Sequence, residues 1–174
     1  MRRRVAVIAA IVLVVVIGAV IFLVVRAFST GEAQVVLKRH CHSDGGLPDP
    51  ACTPGAIDPR VTQANIATTI CVRGYTAKVR PPAAYTGALK RLQIAQYGYA
   101  DTDPSHYEED HLIPLELGGS PADVKNLWPE PESGDASAGD KDRVENVLRV
   151  RVCAGSTTLA EAQSAIARDW RSAA

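Results

Sequence analysis

The sequence predicts an α+β protein: a single N-terminal transmembrane helix, then a small, mostly helical domain containing a two-stranded hairpin. Three observations carry this. Residues 5–25 form an uninterrupted uncharged run. A short segment from Tyr107 to His111 leads through Leu112-Ile113-Pro114-Leu115 to Gly118-Gly119, and Asn126-Leu127-Trp128-Pro129 follows as a second short apolar segment. Elsewhere apolar residues recur at helical spacing between Pro and Gly breakers.

Taking the elements in order, Arg2-Arg3-Arg4 precede the apolar run and Arg26 closes it. At about 1.5 Å per residue a helix over 5–25 reaches roughly 30 Å, the thickness of a bilayer core. A cleaved secretory signal is the alternative, but its apolar region is typically about 7–15 residues long and ends in a small-x-small site. Arg26-Ala27-Phe28-Ser29-Thr30 is a poor site of that kind. The arginine bias places the N-terminus inside, so the expectation is a single-pass membrane protein whose C-terminal domain lies outside the cytoplasm. The domain boundaries follow: a cytoplasmic tip and anchor over 1–26, an extracytoplasmic linker over 27–55 rich in Ser, Gly, Asp and Pro, and a folded domain over 56–174.

Cys41, Cys52, Cys71 and Cys153 all fall beyond the anchor. An even number in an oxidising compartment predicts two disulfides. Cys41 and Cys52 bracket a Gly- and Pro-rich loop, which favours Cys41–Cys52 and Cys71–Cys153. A zinc site from His40, Cys41, His42 and Cys52 is the rival for the first pair, although the spacing matches no standard zinc knuckle.

Asp58 is placed to cap a helix opened by Pro59, with Val61, Ile66 and Ile70 as its apolar positions. Arg80-Pro81-Pro82 breaks the chain. Residues 83–97, with Tyr85, Leu89, Leu92 and Tyr97, read as an amphipathic helix. Arg73, Lys78, Arg80, Lys90 and Arg91 give residues 73–91 five positive charges and no acid. That is either a solvated face or a phosphate-contacting patch. Near the C-terminus, Thr157 or Thr158 caps a helix whose stripe of Leu159, Ala162, Ile166 and Trp170 belongs to the core.

The charge distribution restricts the function. The chain is neutral overall, but Arg2, Arg3, Arg4 and Arg26 belong to the anchor, leaving fifteen basic against nineteen acidic residues beyond it. This is no polycationic nucleic-acid binder. Between Asp101 and Glu145 thirteen acids face only Lys125, Lys141 and Arg143. Such a field repels bare phosphate and attracts a divalent cation, which can then carry the phosphate.

Asp110-His111-Leu112-Ile113-Pro114-Leu115, with Gly118-Gly119 and then Asn126-Leu127, resembles the HNH (His-Me finger) endonuclease signature. The longer stretch from about residue 60 to Trp170 is similar to HNH-like domains of exported, membrane-anchored bacterial proteins. The resemblance implies a ββα-metal hairpin and hydrolysis of nucleic-acid phosphodiesters, with DNA or RNA as partner and membrane association through residues 5–25. His111 would be the general base that deprotonates water; an imidazole of ordinary pKa, about 6.5, is mostly neutral at pH 7. Asn126 would brace the hairpin, and Asp110 would bind a divalent ion, Mg or Mn, with no other small-molecule cofactor expected. The family usually adds a His or Asn ligand from the helix after the hairpin. Here no histidine follows His111, so Asp142, Glu145 or Asn146 must serve, and a carboxylate suits a hard cation. Lys141 and Arg143 on the same segment are candidates to contact phosphate. His106 reads as a turn residue beside Asp103-Pro104, and Trp128 as core. A non-catalytic cell-envelope binding protein with a degenerate hairpin is the competing function, and the position of residues 140–146 relative to Asp110 discriminates the two.

Overall fold

The computed structural model describes residues 41–174. Four helices and one hairpin make up its regular structure: α1 (Tyr75–Val79), α2 (Ala83–Tyr97), β1 (Tyr107–His111), β2 (Leu127–Pro131), α3 (Ala138–Cys153) and α4 (Leu159–Asp169), with short 3-10 turns between them. The two strands pair antiparallel, with Asp110 opposite Trp128 and Glu108 opposite Glu130.

This corrects the expected fold class. The described chain is a small α+β domain with a two-stranded antiparallel sheet, in place of a transmembrane helix followed by a mostly helical domain. Among the described residues no helix is long and apolar enough to cross a membrane. The longest, α3, has 16 residues, about 24 Å of rise against a bilayer core of roughly 30 Å, and it carries Lys141, Arg143 and Glu145. The span expected over 5–25 lies outside the described residues.

Sequence chemistry accounts for most of the element boundaries. Thr158 accepts a hydrogen bond from the Glu161 backbone while Glu161 reaches back to the Thr158 N–H, a capping box that opens α4. Ser137 and Asp140 do the same for α3. Pro82 starts α2 and Gly98, in the left-handed region at φ 66°, stops it. One sequence expectation changes: Asp58 caps no long helix. Its carboxylate takes a fork of hydrogen bonds from Arg60, and the chain instead makes a 3-10 turn over Gln63–Thr68. A near-continuous helix to Cys71 would require apolar positions at regular helical spacing, and Val61, Ile66 and Ile70 do not supply it.

The main core gathers Val61, Ile70, Ile113, Leu117, Leu148, Val152, Leu159, Ala162, Ile166 and Trp170. Each large aliphatic or aromatic member contributes about 1.5–3 kcal/mol by burial. The anticipated stripe is thus interior, with Leu159, Ala162 and Ile166 on α4 and Trp170 in the 3-10 turn that follows it. A second cluster sets Trp128 against Tyr97 and Cys41. Cys41–Cys52 and Cys71–Cys153 are the disulfides. Cys41 and Cys52 therefore offer no thiolate to zinc, and the pair of bridges fits an oxidising setting outside the cytoplasm. The compact unit begins at Cys41, whose N–H bonds the Gln96 carbonyl. Residues 41–55 pack onto α2 and the hairpin loop: Thr53 Oγ1 meets the Tyr97 hydroxyl at 2.8 Å, and Gly55 N–H donates to Lys125 O.

Candidate functional site

The loop between the strands is where the sequence constrains the backbone most tightly. After β1 the chain makes a 3-10 turn over Leu115–Leu117 and reverses at Gly118, at φ 73°. Gly119 then lies directly against the Ile113 carbonyl: a Cβ there would sit 1.7 Å from that oxygen, so only glycine fits. Asn126 fastens the loop from inside. Its Oδ1 accepts from Ile113 N at 2.9 Å and Ala56 N at 3.3 Å. Its Nδ2 donates to Ile113 O at 2.9 Å and Ser120 O at 3.0 Å. Asn126 is 0% exposed, and every one of these backbone groups would otherwise be short of a partner.

The clamped loop presents a carbonyl to His111. Pro121 O lies 2.9 Å from His111 Nε2. A carbonyl only accepts, so Nε2 carries the hydrogen and Nδ1 holds the lone pair. Burial pushes the His111 pKa below its usual value, against the opposing pull of Pro121 O and Asp110. The imidazole is therefore neutral at physiological pH, in a defined tautomer, with a basic Nδ1. Arg80 acts electrostatically on His111 in the same downward direction.

Asp110 and Glu130 lie diagonally on one face of the hairpin, since partners across an antiparallel pair share a face. Glu130 is fully buried and no donor faces its oxygens. Its close polar neighbour is the Asp110 carboxylate, and two buried carboxyls in contact must share a proton. Burial and the Asp110 charge push Glu130 up to about 10, so Glu130 holds it. Burial would raise Asp110 as well, but the Lys141 ammonium and the hydrogen bond from Glu130 together outweigh this and hold Asp110 below its usual value.

Lys141 is the centre of this cluster. It is 1% exposed, and its three N–H donors are all taken: Asp110 Oδ2 at 2.5 Å, His111 O at 2.9 Å, and Glu145 Oε1. Burial alone would lower its pKa, yet the surrounding carboxylates raise it, so it remains charged. Burial pushes Glu145 up to about 8 in spite of Lys141. At neutral pH the cluster thus holds one cation, one firm anion and two largely protonated acids, which makes it close to neutral.

The expected site residues therefore fall into two groups. Asp110, His111, Asn126, Lys141 and Glu145 come together around the hairpin. Asp142, Arg143 and Asn146 lie on the exposed side of α3; Arg143 pairs with Asp140, and Asn146 Nδ2 donates to Asp142 O at 2.8 Å. As folded, these residues do not fit a divalent ion. An ammonium bridges Asp110 and Glu145, the two carboxylates best placed to share a metal. Among the described residues no group of three His, Cys, Asp or Glu is arranged to hold one. Lys141 has likewise no N–H left for a phosphate.

His106 sits in the turn before β1, where its Nδ1 meets Asp101 Oδ2 at 2.6 Å, and Trp128 is interior. Sequence reasoning missed Glu109, Glu130 and the Pro121 carbonyl. The Lys141/Glu145 spacing of four residues was the one signal pointing to an ion pair on α3. No protein-family model, curated protein or solved structure matches the chain.

Proposed function

We propose that the domain is an HNH-like hydrolase of nucleic-acid phosphodiesters acting outside the cytoplasm, with His111 as general base. The observation that carries this reading is the His111–Pro121 hydrogen bond, which selects the tautomer with a basic Nδ1 in a neutral ring. In the reaction His111 Nδ1 takes a proton from water and the hydroxide adds to phosphorus. The ester oxygen then leaves and accepts a proton. Asn126 keeps the Pro121 loop in place and so holds the ring. Arg80, close enough to bias His111 electrostatically, is the cation best placed to meet a phosphate oxygen. A positioned base contributes about 100- to 10,000-fold.

The test is cleavage of single- and double-stranded DNA and RNA by the full chain, with Mg or Mn added in one arm and chelator in the other. His111→Ala should remove nearly all cleavage without unfolding the protein. If the wild type cleaves nothing in either arm, the hydrolase reading fails.

One observation favours a second reading, a non-catalytic envelope binding protein. Lys141 bonds one carboxyl oxygen of Asp110 and one of Glu145, which ties the hairpin to α3 through a side chain in the place where an ion would act.

A further inference from the structure

Three oxygen acceptors converge on one point between the hairpin and α3: Asp110 Oδ2, the His111 carbonyl and Glu145 Oε1. Carboxylates and a backbone carbonyl are the ligand types that hard divalent ions take. Here the point is occupied by a side chain of the domain itself. Lys141 Nζ lies 2.5 Å from Asp110 Oδ2 and 2.9 Å from His111 O, and it bonds Glu145 Oε1 as well. Lys141 is 1% exposed, and an ammonium has no fourth N–H to offer.

A divalent ion cannot share this point with Lys141. It would enter beside a fixed positive charge, bonded to the same oxygens it needs, where water screens poorly. Displacing the ammonium would strand it, and a buried charge without a partner is strongly destabilising. We propose that the Lys141 ammonium is the resident cation of this hairpin, standing where the HNH resemblance puts a divalent ion, so that the domain binds no metal at Asp110 and hydrolyses phosphodiesters without one. The metal independence of cleavage rests on the hydrolase reading above, whereas the exclusion of the ion does not.

Lys141 is on this account a positioning residue. It joins α3 to Asp110 and to the main chain of His111, while Pro121 O holds the imidazole. It has no N–H left for a substrate. Outside the cluster, the cation that acts on His111 is Arg80, in the lining of a cavity of about 390 Å³ between α2 and β1.

Taking the ammonium away should uncover a cation site. Lys141→Ala removes Nζ and keeps the three oxygens. Their spacing around Nζ, 2.5 Å and 2.9 Å for the first two, is nearer to the ligand distances of calcium, about 2.3–2.6 Å, than to those of magnesium, about 2.0–2.1 Å. Calcium is therefore the probe.

The experiment is calorimetric titration of the full chain with Ca²⁺ and with Mg²⁺, without nucleic acid. The proteins are wild type, Asp110→Asn, Lys141→Ala and the double variant. Lys141→Ala should bind Ca²⁺ roughly tenfold or more tighter than wild type, and adding Asp110→Asn should remove that gain. Wild type and Asp110→Asn should titrate alike with both ions, since only exposed acids remain to bind them. If Lys141→Ala is unfolded in buffer, circular dichroism reads the same point. Refolding by Ca²⁺ that the double variant does not show supports the proposal, and a variant that stays unfolded in Ca²⁺ overturns it. Either ion bound by wild type and lost in Asp110→Asn overturns it too, as does a folded Lys141→Ala whose Ca²⁺ affinity does not rise or rises without Asp110. Wild-type cleavage should be equal in Mg²⁺ and in chelator, and a requirement for Mg²⁺ overturns the proposal. Cleavage in neither arm sinks the hydrolase reading alone, and the titrations still decide the ion.

Discussion

Replacing Lys141 by methionine is the sharpest test of how this hairpin is held together. The substitution keeps the length of the side chain and removes the ammonium that Asp110 Oδ2, His111 O and Glu145 Oε1 share. Removing one partner of a buried ion pair typically costs about 3–5 kcal/mol, because the remaining charge is stranded. For a domain of this size that lowers the melting temperature by roughly 10–20 °C. The pH dependence identifies the cause. In the wild type Asp110 titrates below its ordinary value, so its stabilising contribution is present above the unfolded pKa and lost as pH falls through the folded one. In Lys141→Met the depressing charge is gone and burial raises Asp110, so the variant loses stability as pH climbs from about 4. The gap between the two proteins should be small at pH 4 and reach its full value by pH 7. Lys141 itself, raised above its usual value, stays charged throughout this window. Thermal unfolding at pH 4, 5.5 and 7.5 measures the gap directly. A gap under about 1 kcal/mol that does not change with pH would refute the argument that Lys141 neutralises a buried carboxylate.

Asn126→Ala should cost at least about 3 kcal/mol in urea unfolding, since it orphans backbone groups at Ile113, Ala56 and Ser120; a loss under 1 kcal/mol would show the loop to be held by something else. Removing the bridge between Cys71 and Cys153, which are 82 residues apart, by the double alanine variant should cost about 4–5 kcal/mol, whereas the Cys41–Cys52 bridge, spanning 11 residues, should cost less.

What could be read from the sequence was local. Gly118-Gly119, the capping residue Thr158 and the stripe Leu159, Ala162, Ile166 and Trp170 each announce themselves within a few residues, because turn chemistry and helical periodicity are short-range. The disulfide pairing was legible from loop composition and compartment. Asp110, His111 and Asn126 stood out together because their order along the chain resembles the HNH signature. Glu109 and Glu130 did not: a run of three acids in β1, or a lone acid between two prolines in β2, looks solvated until its burial is known, and burial is a property of what packs across from it. The entry of residues 41–55 into the fold was hidden for the same reason: a Pro- and Gly-rich segment reads as a linker unless its long-range partners, Gln96 O for Cys41 and Tyr97 for Thr53, are in view.

Lys141 illustrates the limit most clearly. On the chain it stands between two acids, Asp140 and Asp142, in a segment whose charges suggested that carboxylates gather a cation. They do gather one, but it is the lysine of the same helix. Helical geometry explains the substitution. Residue 141 projects from the face of α3 that meets the hairpin, together with Glu145 one turn later, whereas Asp142 and Asn146 are rotated by about 100° onto the solvent side. A ligand at 142 would have to turn the helix, exposing Leu148 and Val152, which are buried in the main core. The packing of α3 thus determines which residue faces Asp110, and the excess of negative charge around the hairpin is met internally. The cation that acts on His111 from outside this cluster is Arg80, which lines the cavity between α2 and β1.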